Sequence, residues 1–247
     1  MRAPEVIVMK DVYLSYRTLL SHERTLKGFV ISLAKGKRQQ YSKESAQLRG
    51  ISLSISHGEQ VGVIGRNGSG KSTLLKLIAG VLRPDFGQIE VDGVITPLID
   101  IGTGMNPELT CRENIYLSGA YLGFSNKDMD KFFSSIVEWA EIQSVLDNPF
   151  HTLSTGMQSR LAFAVSTCQK PEIILIDEIM SVGDIAFQEK SAKRMEDLKK
   201  GGSAVIIVSH DLSYLLSAVN RIIWIKDGKI EMDGSSEKVI SAYQDSF

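Results

Sequence analysis

The sequence contains little cysteine and no excess of either charge. Cys111 and Cys168 are the two cysteines among 247 residues, and their separation gives no CxxC or zinc-binding spacing. We therefore expect free thiols in a reducing cytosol. The 28 basic and 29 acidic residues give a net charge of −1, so no overall positive field predicts binding to nucleic acid.

Long hydrophobic runs are absent as well. A membrane-spanning helix needs roughly 18 consecutive apolar residues, whereas runs such as AVIIV at 204–208 have the length of buried strands. The first residues contain only the short apolar stretch VIVM before charge returns, which does not fit a signal peptide. Hydrophobic residues make up 43% of the chain, which is enough for the core of a globular protein.

Three short apolar runs predict strands of a largely parallel sheet. They cover residues 61–64, 173–176 and 204–208, and they are continuous rather than alternating, as in strands buried on both faces. Each run is followed by polar residues, which read GRNGSGKS, DE and SHD. Because ligands bind at the carboxyl ends of strands in open α/β sheets, we expect these clusters to form one site.

The first of these clusters carries the pattern of a phosphate-binding loop. Residues 65–72 satisfy G-x-x-x-x-G-K-[ST] between a predicted strand and a helix predicted over 72–79. Its glycines let successive N–H groups point at phosphate oxygens, and the helix amino end adds partial positive charge. Lys71 would contact the β- and γ-phosphates, and Ser72 would bind Mg²⁺. The motif predicts nucleotide contacts from Gly65, Arg66, Asn67, Gly68, Ser69, Gly70, Lys71, Ser72 and Thr73.

Acidic residues and a histidine follow the other two strands. A carboxylate at the end of a buried strand needs a partner to offset its desolvation, and Mg²⁺ would be that partner for Asp177. Glu178 would polarise the attacking water, either as a general base or by orienting it. His210 would contact the γ-phosphate. Acidic pairs and lone histidines are common in caps and loops, but the phosphate loop nearby favours the functional interpretation.

Two other segments differ from this α/β pattern. Residues 106–160 predict a helical insert, in which Phe132, Phe133, Ile136, Val137 and Ala140 have amphipathic spacing. Residues 18–47 hold six basic and two acidic residues, and Leu26, Phe29, Val30 and Leu33 in this segment share one helical face. This second segment fits either a helix that covers part of the core or a basic amphipathic helix at a membrane surface or a partner.

The stretch LSTGMQSR at 153–160 predicts a second anion-binding helix terminus. Ser154 is a natural N-cap, Gly156 lets another molecule approach the backbone, and the helix is predicted to run to about Gln169, before Pro171. One nucleotide already has its loop at 65–72. The second terminus would therefore serve a nucleotide held by another copy of the chain.

This combination of motifs resembles the ATP-binding cassette (ABC) proteins over essentially the whole chain. LSTGM stands where that family carries its signature, commonly LSGGQ, and this makes Ser154, Thr155, Gly156 and Met157 site residues. IILIDE resembles the family's acidic strand and glutamate, and SVGD, with Asp184, resembles the loop through which two ATPase subunits face each other. His210 is similar to the switch histidine. Tyr16 is similar to the aromatic residue that stacks on adenine, and Tyr13 is a second candidate.

The resemblance implies one nucleotide-binding domain over residues 1–247. Its fold would be a P-loop NTPase (RecA-like) α/β core with a mainly parallel sheet, an amino-terminal β subdomain and a helical signature subdomain. ATP and Mg²⁺ would be the cofactors, and two copies would sandwich two ATP molecules head to tail. The family's usual glutamine that couples Mg²⁺ to the permease is not evident, and Asp100 in LIDIG is the nearest candidate.

A narrower resemblance concerns the partners. GTGMNPELTCRENI, STGMQSRLAFAVS and DEIMSVGDIAFQEK are similar to ATPase subunits of bacterial polysaccharide exporters, of the O-antigen and, more distantly, teichoic acid type. This implies a polytopic permease, a lipid-linked polysaccharide as substrate, and a peripheral location at the cytoplasmic face of the inner membrane. The chain ends at Phe247, too early for the additional carbohydrate-binding domain of some such ATPases, so we expect glycan recognition elsewhere.

Two alternatives keep the phosphate loop but change the function. One is an ABC ATPase that serves a different substrate, such as an importer or a drug exporter, with the same chemistry and another permease. The other is a soluble P-loop kinase or switch ATPase without a membrane partner. LSTGM and SVGD argue against the second alternative because kinases and GTPases share only the phosphate loop.

Overall fold

A computed structural model describes residues 3–16, 45–99, 102, 104–177 and 185–246 of the chain. Within these ranges the protein is an α/β structure with two sheets, which confirms the predicted class. The basic segment predicted to contain an amphipathic helix lies, except for its last residues, outside the described residues.

The strands alternate irregularly with helices along the chain. The strands are β1 (Glu5–Tyr16), β2 (Ser45–Ser56), β3 (Gln60–Ile64), β4 (Phe86–Val91), β5 (Ile95–Leu98), β6 (Ile173–Asp177), β7 (Ala204–Val208), β8 (Arg221–Lys226) and β9 (Lys229–Ser235). The α-helices are α1 (Lys71–Ile78), α2 (Cys111–Tyr121), α3 (Asn126–Ala140), α4 (Thr155–Ser166), α5 (Ile185–Lys200), α6 (Leu212–Ala218) and α7 (Ser236–Gln244).

The central sheet has six strands in the order β5-β6-β7-β3-β8-β9. Neighbouring strands from β5 to β8 run parallel, and β9 adds an antiparallel edge through a hairpin with β8. The three predicted strands are β3, β6 and β7, and the prediction is confirmed within one residue at each end. Every residue of β7 is buried, as expected for a strand covered on both faces.

A second, antiparallel sheet covers one face of the first. It has the order β2-β1-β4 and corresponds to the expected amino-terminal β subdomain. Its inward side chains form one hydrophobic core with helix α1 and with the near face of the central sheet, for example Ile7, Ile51, Leu75 and Ile206. On the far face, side chains from α5, α6 and α7 bury a second cluster that includes Phe187, Leu215 and Val239.

Helices α2, α3 and α4 form the predicted helical insert around a core of their own. Ile136, Val137 and Ala140 are buried in it, and Phe132 and Phe133 are partly buried against it. A capping box starts α2, since the Thr110 side chain accepts from the Glu113 backbone N–H and the Glu113 carboxylate accepts from that of Thr110.

The carboxyl end of α4 differs from the prediction. The helix stops at Ser166 rather than near Gln169. At the C-cap, the Thr167 hydroxyl donates to the carbonyl oxygen of Phe163 at 2.8 Å, and its backbone N–H donates to the same oxygen at 3.0 Å. A side chain that can satisfy the last turn allows the helix to end before the proline that was expected to stop it.

Both cysteines are free thiols, as predicted. Cys111 is buried among the helices of the insert, and Cys168 is half-buried. Burial raises the pKa of the Cys168 thiol to about 11, so the thiol stays protonated at neutral pH.

Arg221 at the start of β8 joins three parts of the fold. Its guanidinium donates twice to the Asp233 carboxylate of β9, at 2.7 and 2.6 Å, and also to Glu59 and to the carbonyl oxygen of Ser54 at 2.9 Å each. These carboxylates raise the pKa of Arg221. The cluster is about three-quarters buried, with side-chain exposures of 27 to 30%.

We expect Arg221→Gln to lower the free energy of unfolding by about 2 kcal/mol, because two mostly buried carboxylates lose charged hydrogen bonds. Arg112→Gln is the matched control, since Arg112 pairs with Asp147 where both side chains are exposed, at 45 and 73%. The control should lose less than about 1 kcal/mol. Urea unfolding of both variants measures the difference, and equal losses would contradict this account of Arg221.

Candidate functional site

The loop between β3 and α1 is packed so tightly that two of its positions require glycine. Gly65 has φ +149°, and a Cβ there would lie 2.2 Å from the carbonyl oxygen of Ile225 in β8. Gly70 has φ +111°, and a Cβ there would lie 2.7 Å from the carbonyl oxygen of Gln47. The pattern of glycines is therefore imposed by the strands on both sides of the loop.

The same loop leaves the amino end of α1 open to an anion. Gly70 is the N-cap, and because it has no side chain, no side chain of the cap bonds to the amides of the first turn. Such amides, together with the helix dipole, favour a negatively charged group. The predicted phosphate would meet these backbone amides.

Lys71 lies over the loop that it follows. Its side chain is buried, and Nζ donates to the carbonyl oxygens of Gly65 at 2.8 Å and Arg66 at 3.1 Å. A buried ammonium needs such acceptors to offset its desolvation. The two bonds hold the charge in one place at the centre of the loop, where a phosphate group would meet it.

A cavity of about 300 Å³ brings together eight of the predicted residues, whereas Gly65, Arg66 and Ser69 of the loop do not line it. Asp177 ends β6, and it is paired in the parallel ladder with Val208, the last residue of β7. His210 follows β7 by two residues. The cavity is lined by Gln47, Asn67, Gly68, Gly70, Lys71, Ser72, Thr73, Asp177, Val208 and His210.

The oxygen atoms in this cavity fit a magnesium ion. Ser72 offers a hydroxyl and Asp177 a carboxylate to the same space. In the part of the chain that the structure describes, no group of three or more His, Cys, Asp or Glu side chains could hold a metal by itself. The hydroxyl of Ser72 and the carboxylate of Asp177 would suit Mg²⁺, which is usually bound by one or two protein oxygens together with water and nucleotide phosphates.

The predicted signature residues lie at the surface, apart from this cavity. Ser154 caps α4, and its hydroxyl accepts from the backbone N–H of Met157 at 3.3 Å. Ser154 and Thr155 are exposed, and a Cβ added at Gly156 would meet no atom within 4 Å. This helix end is therefore open to another molecule.

The remaining predicted residues are not placed at the cavity by the structure. Tyr16 ends β1 and is 40% exposed, and Tyr13 is 39% exposed; neither lines the cavity. Asp100, Glu178 and Asp184 lie outside the described residues. The functional roles of all these side chains stay predictions.

Two polar residues that sequence reasoning missed support the site. Gln47 of β2 lines the cavity, although β2 belongs to the other sheet. Gln158 donates through Nε2 to the carbonyl oxygens of Phe150 and Leu153 at 3.2 Å each, which holds the turn before the signature helix. The sequence did contain a signal for Gln158, because it is a polar residue one turn into a helix whose start reads LST.

The β8–β9 turn closes the back of the phosphate loop. The backbone N–H of Gly228 donates to the carbonyl oxygen of Ser69 at 3.2 Å. The carbonyl oxygen of Gly228 accepts from the N–H of Arg49 in β2 at 2.8 Å. Backbone hydrogen bonds thus join the loop to strands of both sheets.

Comparison with known proteins identifies the family. The sequence profile described as ABC transporter matches residues 48–181, more than half of the chain and including the phosphate loop, the signature and Asp177. The chain belongs to the ABC transporter family. The cavity at the phosphate loop is therefore the candidate ATP site of this family member.

Curated relatives of this ABC ATPase cover most of its length. It is 38% identical over 98% of its residues to the O-antigen export system ATP-binding protein RfbB of Myxococcus xanthus, and it spans 56% of that protein. It is 40% identical over 78% of its residues to RfbB of Klebsiella pneumoniae, and it spans 79% of that protein. With the teichoic acids export ATP-binding protein TagH of Lactococcus lactis, identity is 36% over 96% of the chain and 51% of the relative.

Solved structures agree on the fold. A dimeric post-hydrolysis state of the ATP-binding cassette MJ0796 with ADP and phosphate matches with a TM-score of 0.69 at 24% identity, over 93% of this chain and 98% of the other. An ATP-binding subunit of an ABC transporter matches with a TM-score of 0.72 at 19% identity, over 97% of this chain and 93% of the other.

Among the described residues, no helix is both long and apolar enough to cross a membrane.

We expect Gly70→Ala to weaken ATP binding by at least about tenfold, equivalent to ~1.4 kcal/mol, because the loop must move away from Gln47. Gly80→Ala is the matched control at the other end of α1, since Gly80 also has positive φ, +72°, but a Cβ there would meet nothing within 4 Å. The control should bind ATP normally. Titration with a fluorescent ATP analogue measures both affinities, and an unchanged affinity in Gly70→Ala would contradict the packing argument.

Proposed function

We propose that this chain is the ATP-hydrolysing subunit of a transporter that exports lipid-linked polysaccharide through a separate membrane permease. The observation that carries the proposal is the similarity over 98% of the chain to an ATP-binding protein of an O-antigen export system. Teichoic acids export ATP-binding proteins TagH are similar as well, at 36 to 39% identity. The chain would act peripherally at the cytoplasmic face of the inner membrane.

The chemistry proposed for the cavity is the transfer of the γ-phosphoryl group of ATP to water. Lys71 and the amino end of α1 would balance the charge on the phosphates. Ser72 and Asp177 would hold Mg²⁺, which supplies further neutralisation of phosphate charge when bound. Glu178 would orient and deprotonate the water, and His210, which lines the cavity, would contact the γ-phosphate.

A second copy of the chain would complete each site. The exposed amino end of α4 has the open backbone and the N-cap hydroxyl that a phosphate group requires, but it is separate from the cavity of its own chain. A head-to-tail dimer would bring the Ser154–Met157 end of one chain to the nucleotide of the other. Asp184 would lie in the loop between the two copies, and Tyr16 would stack on adenine.

The permease and the glycan remain the most specific part of the proposal. Asp100 would lie in the loop that couples Mg²⁺ to the permease. The lipid-linked polysaccharide would be handled through the permease.

We expect Glu178→Gln to slow ATP hydrolysis by about 10²- to 10⁴-fold, which is the usual contribution of a positioned general base. ATP should still bind, because the phosphate loop is unchanged, and the dimer should persist in ATP. Phosphate release and gel filtration with ATP measure the two properties. Normal turnover in this variant would exclude Glu178 as the base.

The transport function is tested on detergent-solubilised membranes from the source bacterium. We expect the chain to co-purify with a polysaccharide-type permease, to hydrolyse ATP faster in that complex, and to be required for surface polysaccharide. Lys71→Ala is the control for the requirement of the chain for surface polysaccharide, because this variant should no longer bind the ATP phosphates although the protein is still present. Unchanged surface glycan after deletion of the chain would overturn the proposed substrate.

A further inference from the structure

The carboxylate of Glu141 lies between helix α4, which begins at the signature residues, and helix α5, which follows residues 178–184. Glu141 accepts a hydrogen bond from Arg160 of α4 at 3.1 Å and from Lys190 of α5 at 2.6 Å. Lys190 also donates to the carbonyl oxygen of Trp139 at 2.8 Å. Glu141 itself ends α3, so a single side chain connects three helices.

The backbone at Glu141 is unfavourable for a glutamate. It is the C-cap of α3, with φ +59° and ψ +43°, a left-handed conformation that glycine or asparagine adopts at lower cost. The chain keeps a glutamate there, and the two hydrogen bonds to cations give a reason. A backbone outlier of this kind is a basis for inferring function.

The ion pairs lie above a rigid aromatic cluster between the helical insert and the α/β core. The Trp139 and Phe163 rings stack at 5.2 Å, and Phe187 of α5 meets their edges and faces at 5.8 and 6.0 Å. Arg160 lies over Phe187 and Lys190 over Trp139, at 5.8 and 5.0 Å from the ring centroids. The same two cations thus contact both the aromatic rings and Glu141.

We propose that Glu141 is a positioning residue that sets the orientation of the signature helix α4 relative to helix α5, and so couples the two ATP sites of the dimer. The inference rests on the proposed head-to-tail dimer. In that dimer α4 closes the partner's nucleotide, whereas Asp177 and residues 178–184, which lead into α5, serve the chain's own nucleotide. A connection between α4 and α5 is therefore a connection between the two sites.

Stability alone does not account for this cluster. The Glu141 side chain is 57% exposed and that of Lys190 38%, and an ion pair this exposed contributes little to folding; the Arg160 side chain is 23% exposed. The aromatic rings beneath provide the packing. What the carboxylate adds is a shared acceptor that holds α4 and α5 in one register.

The test measures ATP turnover, its Hill coefficient and the affinity for ATP in the purified full-length chain. We expect Glu141→Gln to lower turnover roughly 3- to 30-fold, the range for coupling residues, and to bring the Hill coefficient towards one. Affinity for ATP in the chain's own cavity should not change, because no residue of the phosphate loop is altered. The double variant with Glu141→Gln and Lys190→Gln should turn over ATP no more slowly than the slower of the two single variants.

Two further variants separate positioning from folding. Glu138→Gln removes the same charge from the same helix, at a side chain for which no ion pair is found among the described residues, and it should behave as the unaltered chain. Glu141→Gly relieves the left-handed backbone, so its unfolding midpoint should be equal or higher while its turnover falls as in Glu141→Gln. Loss of turnover that only accompanies loss of folding would overturn the inference.

A spectroscopic signal reports on the cluster directly. The chain has two tryptophans, so Trp224→Phe leaves Trp139, beside Lys190, as the sole tryptophan whose emission is read. ATP should change Trp139 emission in this background, and Glu141→Gln should reduce that change. If Glu141→Gln matches Glu138→Gln in turnover, Hill coefficient and emission, the inference is wrong. These measurements need no permease, so a failure of the polysaccharide assignment would leave them interpretable.

Discussion

The parallel pairing of β3, β6 and β7 is the constraint on which the rest of the site depends. Because the three strands run in one direction, their carboxyl ends lie at one edge of the sheet, and the phosphate loop, Asp177 and His210 meet there. The strands can lie at the centre of the sheet because their side chains are apolar on both faces. A hydrophobic requirement of folding thus determines where these polar side chains meet.

Three of the strands buried on both faces were predicted from sequence, whereas β8, whose four central residues are also buried, and the half-covered strands were not. A continuous apolar run is a clear signal in β3, β6 and β7. In β1 the alternation that would identify a strand is interrupted between Met9 and Val12, where the pairing with β2 shifts and Asp11 has φ +49°. The bulge shifts the buried positions out of the two-residue period of a strand, so the local hydrophobic pattern no longer indicates one.

The site shows the same division between local and long-range information. Glycine, lysine and serine at fixed spacing identify the phosphate loop, because backbone curvature and charge are local properties of that segment. Gln47 reaches the cavity from a strand of the other sheet, and nothing in its neighbours indicates this. The ion pairs of Glu141 could not be predicted from the sequence either, since its partners Arg160 and Lys190 are brought to it only by tertiary packing.

The turn between β8 and β9 has a consequence for where residues can be inserted in the chain. Hairpin turns at a sheet edge are usually among the places where a chain accepts extra residues. Here Gly228 is bonded to Ser69 on one side and to Arg49 on the other, and a Cβ at Gly228 would lie 2.7 Å from the carbonyl oxygen of Gln47. Insertions at this turn would push directly on the phosphate loop. We therefore expect this turn to tolerate added residues poorly, even though it lies between strands at the rim of the sheet.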